Sequence, residues 1–228
     1  MPNGEDERTI EIYDNQRGFI TGKTGSGKTF FARHITRTLP RLVVFDPKFT
    51  LADWGLEAWN RETRRALSEG DPIQLRVTWT ERGESTVFWE DVMWEVLEAG
   101  NCLLYIDELY SLSAQGKWIP EALQRIYTQG RELGVGAIGV AQRPRFIPQF
   151  VITECEWFMR FRLQKKDDRM YMSEFMGDEV IERIPASDPH GFWYYNVGWN
   201  EPLYVDRLRI GHGDGWGEFE EAIEEEAP

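Results

Sequence analysis

Residues 22–29, Gly22-Lys23-Thr24-Gly25-Ser26-Gly27-Lys28-Thr29, constrain this chain more than any other feature. They match the pattern G-x-x-x-x-G-K-[ST] in full. A short apolar run, Arg17 to Thr21, precedes them, and Thr29 to Leu39 reads as a helix ended near Pro40. A glycine-rich turn between strand and helix can be a simple reversal that binds nothing. With the lysine and threonine in place it becomes a phosphate cradle. Glycines let successive backbone N–H groups converge on one anion without Cβ clashes, and the helix starting there adds the positive end of its dipole. The loop from Gly22 to Thr29 is therefore predicted to hold ATP. Lys28 would span the β- and γ-phosphates, and the Thr29 hydroxyl would ligate Mg²⁺.

The remainder of the chain alternates apolar runs with helical patterns, as a parallel sheet covered on both faces requires. Strands are predicted at Leu42 to Phe45, Ile73 to Thr80, Cys102 to Ile106, Val135 to Ala141 and Trp157 to Leu163. Helices are predicted over 49–70 (with Trp54, Leu56 and Trp59 on its apolar side), Val87 to Ala99, Pro120 to Leu133 and Asp167 to Met176. Phe192 to Tyr195 and Leu203 to Val205 read as a hairpin at the sheet edge, and Glu81 to Glu84 as a turn. The predicted class is α/β: a P-loop NTPase of the RecA-like type, with a central, mostly parallel sheet and a short acidic C-terminal tail.

Two expected units follow from where the charge sits. Of the 39 acidic residues, seven fall within 213–228 together with no base, leaving 32 against 26 bases over 1–212. More than half of the net charge of −13 thus belongs to the tail, and the body, 1–212, has room for a local basic surface. Within the tail, Trp216, Phe219 and Ile223 follow helical spacing, an amphipathic stripe that would either dock on a neighbouring subunit or a capsid protein or simply fray. No apolar stretch approaches the ~20 residues of a membrane helix, and the N-terminal residues lack a basic segment followed by an apolar one. Cys102 and Cys155 open apolar runs and read as small buried hydrophobes, and with His34, His190 and His212 they make no ligand spacing for a structural metal.

The second half of the nucleotide site lies at Cys102-Leu103-Leu104-Tyr105-Ile106-Asp107-Glu108. Strands often end in acids, but beside a P-loop this pair gains a role. Asp107 would hold Mg²⁺ through water next to Thr29, and Glu108 would polarise the attacking water as general base. A GTPase would need an Asn-Lys-x-Asp motif, which the chain lacks. Leu112 to Gly116 follows the Asp-Glu pair instead of preceding it, so it is not a transporter-ATPase signature. A small-molecule phosphotransferase stays open, although adjacent Asp and Glu suit attack by water better.

Gly130-Arg131-Glu132-Leu133-Gly134, the strand from Val135 and the ending Ala141-Gln142-Arg143-Pro144 resemble the HerA/FtsK superfamily of ring-forming, DNA-pumping ATPases. Phe45-Asp46-Pro47-Lys48 is similar to that family's Asp-Pro-Lys element, and the resemblance spans roughly 17–177. It implies that Gln142 senses the γ-phosphate and that Arg131 is an arginine finger donated across a subunit interface. An ordinary surface ion pair is the plainer reading of Arg131, and Arg160, Arg162 and Arg169 are further finger candidates. With the P-loop starting at residue 22 no room is expected for an added N-terminal domain. That size resembles the genome-packaging ATPases of tailless, membrane-containing double-stranded DNA viruses.

The resemblance implies an ATP- and Mg²⁺-dependent ring, a hexamer or pentamer, that grips double-stranded DNA without reading its sequence. It implies work in the host cytoplasm or at the packaging vertex of the virion, against a capsid, portal or membrane protein. Candidate grips are Arg82, Lys117, Trp118, Arg143 and Arg145 on loops at the sheet rim. A related DNA-export or conjugation motor is the alternative within the family.

Overall fold

The computed structural model describes residues 10–78, 86–112, 119–206, 208–210 and 219–221. In chain order its elements are β1 (Arg17–Thr21), α1 (Lys28–Thr36), β2 (Arg41–Phe45), β3 (Glu57–Ala58), α2 (Arg61–Glu69), β4 (Ile73–Val77), α3 (Thr86–Ala99) and β5 (Cys102–Ile106). Then follow α4 (Glu121–Gln129), β6 (Val135–Ala141), α5 (Gln149–Thr153), β7 (Trp157–Phe161), α6 (Lys166–Met176), β8 (Phe192–Asn196), β9 (Leu203–Val205), β10 (Leu208–Ile210) and β11 (Phe219–Glu221). Nine strands form one sheet in the order β3-β4-β2-β5-β6-β1-β7-β8-β9. Every pairing from β3 to β7 is parallel, and the expected edge hairpin, β8 and β9, closes the sheet antiparallel.

Parallel strands buried on both faces need apolar residues at every position, and β5 and β6 are buried throughout. Alternate residues feed two separate cores. Phe19, Val43, Phe45, Leu104, Ile106, Ala137 and Phe158 face a layer built on α2, α3, α4, α5 and α6. Ile20, Leu42, Val44, Leu103, Tyr105, Ile138 and Met159 face α1 and the N-terminal Ile10 and Ile12. Helices cover both faces as expected, but unequally: of the described α-helices, α1 alone packs on the second. Space there is limited. Gly18 lies in register with Trp157, and a Cβ on it would fall 2.0 Å from the indole ring.

Three expectations needed correction. The span 49–70 is not one helix. A 3₁₀ turn over Ala52–Trp54 ends at left-handed Gly55, β3 then pairs with β4, and Asn60 starts α2 anew. The Asn60 side chain accepts from the Glu62 and Thr63 amides while Thr63 Oγ1 accepts from the Asn60 amide, a capping box that fixes the new start. Trp54 and Leu56 pack into one core and Trp59 into the other, so no single helical stripe joins them. The helix from Pro120 likewise stops at Gln129, and Gly130–Leu133 tightens into a 3₁₀ turn. There Gly130 approaches the Val135 carbonyl so closely that a Cβ would sit 2.6 Å from its oxygen. Within the tail, Phe219–Glu221 pairs antiparallel with β10 in place of a helical turn. The rest of the tail, with the Glu81 to Glu84 turn, Lys117 and Trp118, lies outside the described residues.

Cys102 and Cys155 are buried and unpaired with each other, and burial pushes the Cys102 thiol up to about 12. Among the described residues no helix is long and apolar enough to cross a membrane.

Candidate functional site

Strands β1, β2, β5, β6 and β7 point their carboxyl ends to one rim, where ligands bind in open α/β sheets. The glycine-rich loop leaves β1 at this rim. Gly22 packs so tightly that a Cβ would meet Phe161 Cβ at 2.6 Å and Ser26 Oγ at 2.8 Å, and Gly27 enters α1 with φ of 99°. The Lys23 amide donates to the Arg162 carbonyl at 2.8 Å, tying the loop to the end of β7. Ser26 is buried, its hydroxyl donating to the Lys23 carbonyl at 2.8 Å. Thr24, Gly25 and Thr29 are exposed on the loop's open side, which leaves the Thr29 hydroxyl accessible.

Lys28 folds back beneath the loop. Its Nζ donates to the Gly22 and Lys23 carbonyls at 2.8 and 2.9 Å, so the ammonium is held at the centre of the cradle. Burial lowers its pKa to about 8, and Lys48 adds to that fall while Asp107 and Glu108 oppose it. Asp107 is buried at the end of β5, and its Oδ1 accepts from the Tyr105 hydroxyl at 3.2 Å. Burial raises its pKa; Lys48 and the Tyr105 hydrogen bond pull the other way. A buried carboxylate that resists ionisation is well suited to a cation, whose charge would reverse that bias. Among the described residues no cluster of three or more His, Cys, Asp or Glu could hold a metal unaided. The residues fit Mg²⁺ delivered with phosphate oxygens, which is how this ion usually binds.

Glu108 follows with φ of 74°, rare for a residue with a side chain. Its Oε2 accepts from Lys48 Nζ at 2.6 Å. Lys48 is the member that motif reading left without a role. The signal was the adjacency of β2 and β5, whose ends bring Asp-Pro-Lys beside Asp-Glu. Gln142, one residue past β6, accepts through Oε1 from Thr24 Oγ1 at 3.0 Å, so the amide does touch the loop. Lys28, Asp107, Glu108 and Gln142 therefore gather at one rim.

Arg131 does not join them. It precedes β6 at the opposite, amino-terminal rim, separated by roughly 20 Å of strand. Its side chain is 69% exposed and meets Glu156 at 3.5 Å. Arg160 and Arg169 are ruled out as fingers, because both are buried and used internally. Arg160 donates to the Val180 and Glu182 carbonyls, Arg169 to Ile181, Leu163 and Gln164. Arg162 lines a cleft beside the loop with Lys23 and Arg183. Arg143 is not a free cation either: it pairs with buried Asp168 at 2.7 Å and lies over the Phe146 ring. Arg145 is more exposed, with only a 3.5 Å contact to Asp167.

The DNA packaging ATPase P9 of Enterobacteria phage PRD1 is 26% identical over 200 residues, which cover 82% of this chain and 85% of P9. The chain resembles the genome-packaging ATPases. No protein-family profile matches it. The genome packaging NTPase B204 from Sulfolobus turreted icosahedral virus 2, in complex with ATP-gammaS, superposes with a TM-score of 0.71 at 16% identity, over 85% of this chain and 98% of that one. The pCW3 conjugation coupling protein TcpA superposes with a TM-score of 0.59 at 13% identity, over 86% of this chain and 60% of that one. The two structures share the fold, and the phage protein extends the likeness of this packaging-ATPase-like chain to sequence.

Proposed function

We propose that this chain is an ATPase that drives double-stranded DNA, a viral genome, into its capsid as a ring of identical subunits. The observation that carries the reading is the convergence of Lys28, Asp107, Glu108 and Gln142 on one phosphate cradle, in a chain similar over most of its length to a DNA packaging ATPase. The loop Gly22 to Thr29 binds the ATP phosphates, with Lys28 countering charge on the β- and γ-phosphates. Bound Mg²⁺ would be held by Thr29 and, through water, by Asp107, and would neutralise phosphate oxygens. Glu108 accepts a proton from the attacking water. Gln142, already bonded to Thr24, reports the γ-phosphate to the segment after β6.

The location of Arg131 supports a role in trans. It is too far from its own cradle to act there, and it is exposed where a neighbour could receive it. DNA is gripped through its phosphates, without base reading. Arg145, Lys117 and Trp118 are the grips in this reading, acting in the host cytoplasm at the packaging vertex beside a capsid, portal or membrane component.

The test is a double titration of ATPase activity. Specific activity should rise with protein concentration, as rings complete their sites, and rise again with double-stranded DNA of any sequence. Activity independent of both would return the chain to the small-molecule phosphotransferases. Arg145→Ala should weaken DNA stimulation while leaving DNA-free hydrolysis intact.

A further inference from the structure

The residue read as general base has a companion, the lysine of the Asp-Pro-Lys element, to which the sequence motifs assign no role. Lys48 Nζ sits 2.6 Å from Glu108 Oε2, and both side chains spring from anchored backbone. The Asp107 amide donates to the Phe45 carbonyl at 3.0 Å and the Asp46 amide to Val77 at 2.9 Å, locking the ends of β5, β2 and β4 together. The fully buried Asp46 carboxylate accepts from the Thr50 and Leu51 amides, both at 3.0 Å, which closes the turn carrying Pro47 and Lys48. Lys48 is thus presented from a braced turn.

We propose that Lys48 is a positioning residue for hydrolysis: by holding one carboxylate oxygen of Glu108 it leaves the other aimed at the water beside the γ-phosphate. The proposal rests on the reading of Glu108 as general base. A glutamate side chain has three rotatable bonds, and a base acts only within hydrogen-bond reach of the proton it takes. Glu108 leaves its strand through a left-handed backbone. Among the described residues its side chain has one recorded hydrogen-bonding partner, Lys48.

Charge argues the same way. Asp46, Asp107 and Glu108 bring three carboxylates to a rim that must receive a polyanion. Lys48 offsets them, and its charge is felt at both Lys28 and Asp107. Glu108 is the more buried partner, 14% exposed against 39% for Lys48, so the lysine reaches inward to the base.

The experiment uses the full-length protein with its DNA, comparing Lys48→Ala, Lys48→Arg, Glu108→Gln and the Lys48→Ala/Glu108→Gln double variant. Readouts are kcat, KM, affinity for a fluorescent non-hydrolysable ATP analogue, and thermal melting. Lys48→Ala should lower kcat by about 10- to 100-fold, the loss expected of a misplaced catalytic group. KM, analogue affinity and melting should stay near wild type. Lys48→Arg should recover much of the rate, since a guanidinium can hold the same oxygen. In the Glu108→Gln background, Lys48→Ala should cost nothing further, because the two act as one unit.

A faster kcat in Lys48→Ala would overturn the proposal and make the pair a lock on the base. A raised KM with unchanged kcat would also overturn it, by making Lys48 a phosphate ligand. Equal losses with and without Glu108 would overturn it as well. A Glu108→Gln variant that hydrolyses normally would instead sink the reading of the base itself. A dead Glu108→Gln beside a normal Lys48→Ala would sink only the role of Lys48.

Discussion

The two rims of one sheet handle their polar groups in opposite ways. At the amino-terminal rim Arg17 is fully engaged: its amide and side chain meet the Glu156 carboxylate at 2.7–3.1 Å, and its Nη1 donates to the Tyr127 carbonyl at 2.6 Å. Glu156 returns its own amide to the Arg17 carbonyl at 2.8 Å, closing the knot. At the carboxyl rim the chain buries Lys28 and Asp107 in surroundings that bias each against its charge. The first rim is arranged to hold strands together. The second stores unfavourable electrostatics that a charged ligand can relieve. Arg131 belongs to the first rim by position and to the second by character, since it is exposed and loosely paired.

Arg131→Ala puts that assignment at greatest risk. Hydrolysis by the assembled protein should fall about 10³- to 10⁵-fold, the worth of an arginine finger. Melting should be unchanged, and mixing with Lys28→Ala subunits should restore part of the rate. Full activity in Arg131→Ala would leave the amino rim wholly structural. Next comes Arg17→Ala, which strips Glu156 of its closest partner. Chemical denaturation should record a loss of about 3 kcal/mol, as for breaking a largely buried pair. Analogue affinity of the folded protein should hold, and a fall in affinity would erase the contrast between the rims. Gln142→Ala should do least. It should slow DNA-stimulated hydrolysis by about tenfold, or ~1.4 kcal/mol in barrier, and shift stability by less than about 0.5 kcal/mol as exposed changes do.

Much of this could be read from residues alone where one physical signal dominated. The continuous apolar runs of β5 and β6 announced central strands, and the glycine loop gave the rim at which the site had to lie. Reading failed where local and distant demands competed. The 49–70 span contains good helix formers, yet Asp46 captures the Thr50 and Leu51 amides, Trp59 donates to Arg76 in the sheet, and Asn60 restarts the helix. The Asp46 turn and the Asn60 cap are local signals that break the helical spacing of the tryptophans, while the Trp59 bond depends on a partner that only the tertiary fold supplies. The same limit hid the Lys48–Glu108 pair, whose members lie 60 residues apart. It also hid the Arg143–Asp168 pair, which engages a promising cation that is still partly exposed.

The sheet described here also ends abruptly on both sides. Its terminal strands, β3 and β9, contain two and three residues, so neither offers more than a brief row of unpaired amides and carbonyls. Short edges are a way of refusing continuation by another chain. Subunits of the proposed ring would then meet through side chains and loops, not through a shared sheet. In the proposed ring, contacts of that kind would be free to part and re-form with each turnover, whereas sheet-to-sheet fusion would hold neighbouring subunits fixed.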